Sequence, residues 1–304
     1  MELAKIVLRQ CLTMGLFMVA GFALFKSGKV NKEGSKAIAA LLVWLIIPLV
    51  LVRSFCVAYS PEKLAELGVS FLLGALSLGL SIGLAWLLMR RNPIECFASA
   101  FSNAGFIGIP LATACLGESA AFYLSGMLIL INLLQWTWGV SIIRRDGARF
   151  SLRSFVLENP YLVSTLIGVA LFVTGWGEAM PALLADAMDS LCALNAPLAM
   201  LMLGMYLAET RLLALFVTPR LYLTSAVRLL VIPAIILLAF KLLPVSDALR
   251  LPVLIASAAP CGANVAIYAQ MFGADYPYAC QNVVLSTMLS IFTLPLIIAL
   301  AGVI

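Results

Sequence analysis

Two stretches of the sequence bring proline, glycine and asparagine together inside segments that are otherwise apolar. Proline removes a backbone donor and clashes with the preceding helical turn, and glycine lets the chain leave helical geometry. If such segments cross a membrane, the freed backbone groups cannot face lipid, so they must be buried or line a wet cavity. The residues concerned are Asn103, Gly108 and Pro110 in the first stretch and Pro260, Gly262 and Asn264 in the second.

Helices broken in this way could bind an anion. The N-terminus of a half-helix carries partial positive charge and unpaired N–H groups, which suit a carboxylate. The amide side chains of Asn103 and Asn264 can donate to a carboxylate without the cost of burying a charge. We therefore predict that both contact an anionic substrate, with N-capping of the broken half-helix as the alternative for Asn103. Gly108 and Pro110 shape the break and need not touch the substrate.

Asn132 and Gln135 offer two more amide side chains on a third apolar segment. They are three residues apart and therefore lie near one face of a helix. We count both as candidate substrate contacts. A polar face on a membrane helix also commonly bonds to a neighbouring helix, and that alternative stays open for each.

Arg228 places a charge deep inside an apolar segment. It lies nine residues beyond Pro219, which is about 13 Å along a regular helix. A charge at that depth is costly and indicates a function or a specific partner. We expect an ion pair with Asp186 or Asp189, which are three residues apart, and keep attraction of an anionic substrate as the alternative.

The composition identifies the class of protein that must position these residues. Of 304 residues, 63% are hydrophobic and 11% are charged, against roughly 45–50% and about 25% in soluble domains. Unbroken apolar runs exclude the alternating strands of an outer-membrane barrel. The chain has no histidine, and its seven cysteines are scattered. These features predict no metal site, no cofactor and no catalytic triad.

Apolar stretches of about 20 residues, long enough to cross a bilayer, recur along the chain. We number them spans 1 to 10, and they predict an all-α polytopic membrane protein. The spans cover residues 6–25, 36–57, 66–89, 94–116, 119–143, 160–177, 180–208, 219–240, 248–272 and 277–303.

The chain divides into two halves of five spans each, residues 1–143 and 159–304, joined by a short basic loop at 144–158. An odd number of spans gives the halves opposite orientations, as in the inverted repeats of secondary transporters. Residues 98–100 and 256–258 both read Ala-Ser-Ala. We therefore predict two inverted five-helix repeats, with spans 4 and 9 as broken helices that cross near the bilayer midplane.

Basic residues in the loops predict the orientation. Twelve lysines and arginines fall on one side of the ten spans and six on the side that holds both termini. The richer side is expected to be cytoplasmic. Both termini of this multi-pass protein of the inner or plasma membrane should then lie outside. The same bias accounts for the net charge of +5 without a nucleic-acid partner.

Several blocks of the sequence resemble the auxin efflux carrier family, in order along nearly the whole chain. Residues 103–110 resemble the N-x-x-x-x-G-I-P crossover of the family's fourth helix, and residues 260–262 with Ala269 resemble the crossover of its ninth helix. Residues 195–204 are similar to the APLA…G pattern of its seventh helix. Arg228 with Pro233 is similar to the R-x-x-x-x-P of its eighth helix. The resemblance implies ten helices in two inverted repeats, with a scaffold domain and a transport domain that carries the crossover. It also implies elevator-type alternating access and a homodimer formed through the scaffold.

The family includes plant auxin exporters and bacterial carriers of malonate or malate. This chain has a short loop between spans 5 and 6, whereas plant exporters often carry a long one, and this departure favours the bacterial branch. We expect a secondary active transporter of small organic anions, with coupling to H+ or Na+ left open. An aromatic, auxin-like or bulkier acid is the alternative substrate. A channel or an intramembrane enzyme is less favoured, because the buried polar groups are mainly amides.

Overall fold

The computed structural model describes residues 2–144, 160–209 and 212–303. Within these ranges the regular secondary structure is helical, apart from one isolated antiparallel bridge between Ser102 and Cys261. The predicted basic loop at 144–158 lies outside the described residues from position 145 onward.

Thirteen helices follow one another along the described chain. They are α1 (Glu2–Lys26), α2 (Lys32–Ser54), α3 (Pro61–Met89), α4 (Pro93–Ala100), α5 (Ala104–Leu116), α6 (Ser119–Ile143), α7 (Pro160–Thr174), α8 (Ala182–Glu209), α9 (Leu212–Val217), α10 (Pro219–Lys241), α11 (Asp247–Ala258), α12 (Asn264–Met271) and α13 (Tyr276–Val303). Wider π-helical turns interrupt α2, α6 and α10 and open α5. Such turns often occur at functional sites.

Seven of the described helices are long and apolar enough to cross a membrane: α1, α2, α3, α6, α8, α10 and α13. Two shorter apolar helices, α5 and α7, accompany them. The prediction of an all-helical, multi-pass membrane protein is therefore confirmed. Predicted spans 4 and 9 are absent from the seven because each consists of two short helices. The ten-helix inverted repeat remains a prediction.

Local sequence explains where several helices begin. Ser60 and Asn92 accept hydrogen bonds from backbone N–H groups of the first turns of α3 and α4. A proline follows each of these caps, at a position where a missing N–H costs nothing. The helices therefore start where the sequence supplies both a side-chain acceptor and a preset backbone angle.

Spans 4 and 9 are broken at their centres and paired across the break. The Asn103 N–H donates to the Pro260 carbonyl oxygen at 2.7 Å, and the Gly262 N–H donates to the Phe101 oxygen at 2.9 Å. Ser102 and Cys261 lie opposite each other between these bonds. The two extended segments thus satisfy backbone groups that no helix satisfies and that lipid could not.

Aromatic rings pack next to this crossing. The Phe97 ring lies 4.7 Å from Phe101 and 5.8 Å from Tyr268, measured between centroids. Trp136 contacts Tyr268, and Trp138 contacts Phe101. These edge and tilted contacts are favourable aromatic arrangements, and they fix α4, α6 and α12 around the break.

The backbones of α1 and α8 approach each other closely at two glycines. A Cβ atom built on Gly21 would lie 2.0 Å from the Leu201 carbonyl oxygen, and one on Gly204 would lie 2.0 Å from the Met18 oxygen. Small residues allow this kind of close helix packing in membranes. Neither position has room for a side chain.

We therefore expect Gly21→Ala to lower the thermal unfolding midpoint of the purified protein. The added methyl group would have to separate two backbones, and overpacking of this kind costs about 1–3 kcal/mol. Gly15→Ala is the matched control in the same helix, because a Cβ there meets nothing within 4 Å. An unchanged midpoint for Gly21→Ala would contradict the close approach.

Candidate binding site

A cavity lies beside the crossing, between the broken helices and α2, α6 and α7. It spans about 420 Å³, counting the part that is open to the outside. None of the described residues that line it is charged. Its polar lining comes from Ser102, Asn103, Asn132, Gln135, Tyr161 and Asn264.

Asn103 presents a buried amide nitrogen that has no hydrogen-bond partner among the described residues. Its backbone is held on both sides, because its N–H donates to Pro260 and its carbonyl accepts from Ile107 and Gly108. The side chain is only 4% exposed, makes no capping bond, and leaves Nδ2 without a hydrogen-bond partner among the described residues. A buried donor without a partner costs about 1–3 kcal/mol of folding free energy unless another group accepts a hydrogen bond from it. The N-capping alternative is therefore not what the structure shows.

Asn264 and Gln135 are joined across the cavity wall. The Asn264 Nδ2 donates to Gln135 Oε1 at 2.6 Å. Gln135 opens the π-helical turn of α6 and is buried. It therefore makes the bond to a neighbouring helix that was the alternative to a substrate contact, while still lining the cavity. Asn132 instead donates to Leu128 in its own helix at 2.8 Å.

The positive ends of two helices meet at this cavity. Helix α5 begins directly after Asn103, and α12 begins at Asn264. The first N–H groups of any helix lack partners within the helix, and its N-terminus carries about half a positive charge. Gly105 and Ala263, which flank the two starts, also line the cavity. The site therefore offers positive potential without a charged side chain.

Arg228 binds the C-terminal ends of α4 and α11, the half-helices that precede the two breaks. Its Nη1 donates to the carbonyl oxygens of Ser99 at 3.0 Å and Ala100 at 3.3 Å, and its Nη2 donates to that of Ser257. These carbonyls end α4 and α11, where helix C-termini carry partial negative charge. One guanidinium, only 1% exposed, thus joins both half-helices.

The predicted ion pair between Arg228 and Asp186 or Asp189 is wrong. Asp189 accepts two hydrogen bonds from Arg53, at 2.7 and 3.0 Å. Asp186 is exposed on the first part of α8. The prediction failed because it considered only carboxylates as partners, whereas carbonyl groups at helix ends can offset a buried charge as well.

Of the remaining predicted residues, Gly108, Pro110 and Pro260 shape the crossing without lining the cavity. Gly108 lets α5 approach α11, since a Cβ there would lie 3.1 Å from Ala256. Pro110 stands in the first turn of the α-helical part of α5. Pro260 contributes its carbonyl to the crossing. Gly262 serves both purposes, because it bonds to Phe101 and also lines the cavity.

Sequence reasoning missed three polar residues near the site. Ser102 and Tyr161 line the cavity. Asn195 donates to the Gly105 carbonyl at 3.2 Å and ties α8 to the start of α5. Only Asn195 had a signal, since it begins the segment that resembles the seventh-helix pattern. Ser102 and Tyr161 are common residue types whose position becomes apparent only in the folded chain.

A buried carboxylate was also missed. Glu95 in α4 accepts two hydrogen bonds from Arg220, at 2.6 and 2.5 Å, and one from the Tyr278 hydroxyl at 2.7 Å. This network connects α4 to the first turns of α10 and α13. None of its three residues lines the cavity. The network fixes the first turn of α4, the end of that helix that is away from the break.

Comparison with known proteins adds an independent line of evidence. A sequence model of a family described as membrane transport protein matches residues 6–158 and 150–298. A protein of Rhizobium meliloti (strain 1021) named "Putative malonate transporter" is 27% identical over 222 residues, which cover 68% of each chain.

The Arg228 contacts predict a large effect of a conservative change. We expect Arg228→Lys to lower the thermal unfolding midpoint, because a lysine ammonium cannot reach both sets of carbonyls as a planar fork can. Leaving one buried acceptor unpaired costs about 1–3 kcal/mol. The exposed Arg91, changed to lysine, is the control. Equal midpoints for the two variants would contradict the role assigned to Arg228.

Proposed function

We propose that this chain, which belongs to the membrane transport protein family, here the auxin efflux carriers, is a secondary active transporter of small dicarboxylates such as malonate and malate. The observation that carries the proposal is the uncharged, amide-lined cavity at which two half-helix N-termini converge. The name of the Rhizobium meliloti relative supports malonate as the first substrate to test.

The electrostatics of the cavity suit a carboxylate. Two helix N-termini together supply about one positive charge. The Asn103 amide supplies a buried donor that no other described residue accepts. An arginine or lysine in the lining would bind an anion more tightly, but it would also retain it. Binding that favours entry and still permits release is what a carrier requires.

The distribution of polar groups supports elevator-type movement. Ser102, Asn103, Asn132, Gln135 and Asn264 all lie on the crossing or on α6. The opposite wall, from α2 and α7, is apolar apart from one tyrosine. We propose that the substrate stays with the polar unit while that unit slides along the apolar wall.

Reciprocal bonds at the crossing support two inverted repeats. Asn103 donates to Pro260, and Gly262 donates to Phe101. The two donors, Asn103 and Gly262, are separated by the same number of residues as the two acceptors, Phe101 and Pro260. Ser99 and Ser257, both bonded to Arg228, lie near the corresponding helix ends, at an offset that is one residue smaller.

The proposed orientation rests on the loop charges. We place both termini outside the inner or plasma membrane, because basic residues concentrate on the other side. Coupling to H+ or Na+ is part of the proposal, and no histidine is available to carry the proton. The Phe106 and Tyr161 side chains in the lining favour an aromatic acid as the second candidate substrate.

We expect proteoliposomes containing the protein to take up labelled malonate in a saturable manner. Unlabelled malonate and malate should compete, because both present carboxylates to the same helix ends, and indole-3-acetate should compete weakly. Imposed pH and sodium gradients, tested separately, identify the coupling ion. Uptake that indole-3-acetate blocks and malate does not would overturn the dicarboxylate assignment in favour of the aromatic acid.

We expect Asn103→Ala to reduce malonate uptake by about tenfold or more, because losing one hydrogen bond to a carboxylate corresponds to at least about 1.4 kcal/mol. The thermal midpoint should change little, since the Nδ2 group makes no hydrogen bond within the described part of the chain. Asn282→Ala is the control, because Asn282 is equally buried but bonds to Tyr278 in its own helix. Near-normal uptake by Asn103→Ala would remove this residue from the site.

A further inference from the structure

The carbonyl groups at the crossing are bound to a cation that belongs to the protein. Arg228 lies between the C-terminal ends of α4 and α11. Its guanidinium bonds to three of their carbonyl oxygens, those of Ser99, Ala100 and Ser257. In transporters with broken helices, carbonyls at half-helix C-termini coordinate the coupling Na+. Here a side chain of the chain itself takes the same kind of carbonyl set.

The charges at this position balance without an added ion. Each helix C-terminus carries about half a negative charge, so the two ends together match the single positive charge of the guanidinium. Arg228 is 1% exposed, and Na+ could reach the same oxygens only by displacing the guanidinium or by lying beside it. Two cations that close together in a protein interior repel each other strongly. The carbonyl set therefore has no place for Na+ while Arg228 is present.

The cavity on the other side of the crossing is no better suited to Na+. The N-termini of α5 and α12 border it and carry partial positive charge. None of the described residues in its lining is a carboxylate. A sodium ion there would meet positive helix ends and no negative side chain to offset them. The potential that favours an anionic substrate thus disfavours a cation in the same cavity.

Two more oxygen atoms lie close to the guanidinium and are unused. The hydroxyls of Ser99 and Ser225 are buried, and neither has a hydrogen-bond partner among the described residues. Ser99 also supplies one of the bound carbonyls, and Ser225 precedes Arg228 by three residues, about one helical turn. Oxygen atoms are the ligands that hard cations take. Without the guanidinium, the three carbonyls and these two hydroxyls would offer such ligands together.

We propose that Arg228 is a built-in substitute for a coupling Na+, so that the crossing takes no Na+ and transport does not depend on it. Removing the guanidinium turns the same oxygens into a site for a monovalent cation. Independence of Na+ in transport rests on the proposed function, whereas the cation site rests only on the contacts of Arg228. Of the two coupling ions considered for this chain, H+ is the one that remains.

The test compares thermal unfolding midpoints of the purified full-length protein in sodium chloride and in choline chloride at equal ionic strength. Wild type should unfold at the same temperature in both salts. Arg228→Ala should unfold at a lower temperature in choline. Na+ at about ten times its dissociation constant should raise that midpoint by roughly 2–4 °C. Millimolar guanidinium should raise it as well, because it replaces the missing group.

Gly21→Ala is the matched control for these measurements. It is expected to lower the midpoint by overpacking two backbones and removes no cation, so it should respond equally to both salts. Arg228→Lys keeps the positive charge and should also show no Na+-specific shift. If Arg228→Ala does not fold, wild type and Arg228→Lys still decide the question, because a Na+-specific shift in either contradicts a resident cation.

The remaining outcomes separate the alternatives. An Arg228→Ala protein that folds but gains nothing from Na+ or guanidinium would overturn the cation site, because a purely structural arginine predicts that result. Wild-type proteoliposomes should take up malonate equally under inward gradients of Na+ and of choline. Uptake that requires Na+ would overturn the inference. Absence of uptake under every condition would contradict the proposed function, while the thermal measurements would still test the site.

Discussion

The guanidinium of Arg228 donates to carbonyl groups that end two different half-helices, and the candidate site depends on this arrangement. Breaking a helix inside a membrane exposes carbonyls at one side of the break and N–H groups at the other. Arg228 satisfies the carbonyl side within the protein. The N–H side opens onto the cavity with Asn103 and Asn264 beside it. Because Arg228 binds the carbonyl ends of the breaks and the positive N-terminal ends of α5 and α12 adjoin the cavity, the crossing has a polarity that favours an anion.

The rest of the fold keeps that polarity in place. The Glu95–Arg220–Tyr278 network fixes the first turn of α4. Aromatic rings pack around Phe97, closer to the break in the same helix. The two sides of the cavity then differ in kind, with amides on one and an apolar wall on the other. The polar side combines the two broken helices, which present backbone donors, with the amides of Asn132 and Gln135 on α6.

Much of the fold could be predicted from the sequence, because apolar length and proline–glycine clusters report directly on helices and their interruptions. The same reasoning identified Asn103, Asn264, Asn132 and Gln135, all of which line one cavity. It could not find the partners of Arg228, because every residue has a backbone carbonyl and no residue type marks the ones that bind it. It also could not foresee the Asn264–Gln135 bond or the proximity of Gly21 to α8, because both depend on distances between segments far apart in the chain.

The paired segments at residues 101–103 and 260–262 amount to the smallest possible piece of sheet, and it lies inside a bundle of helices. Pulling the two segments apart would leave both of its hydrogen bonds unmade, and each buried backbone group without a partner costs about 1–3 kcal/mol. The two halves of the chain are therefore mechanically coupled at this point. Any displacement that separated the two broken helices would have to break these two hydrogen bonds.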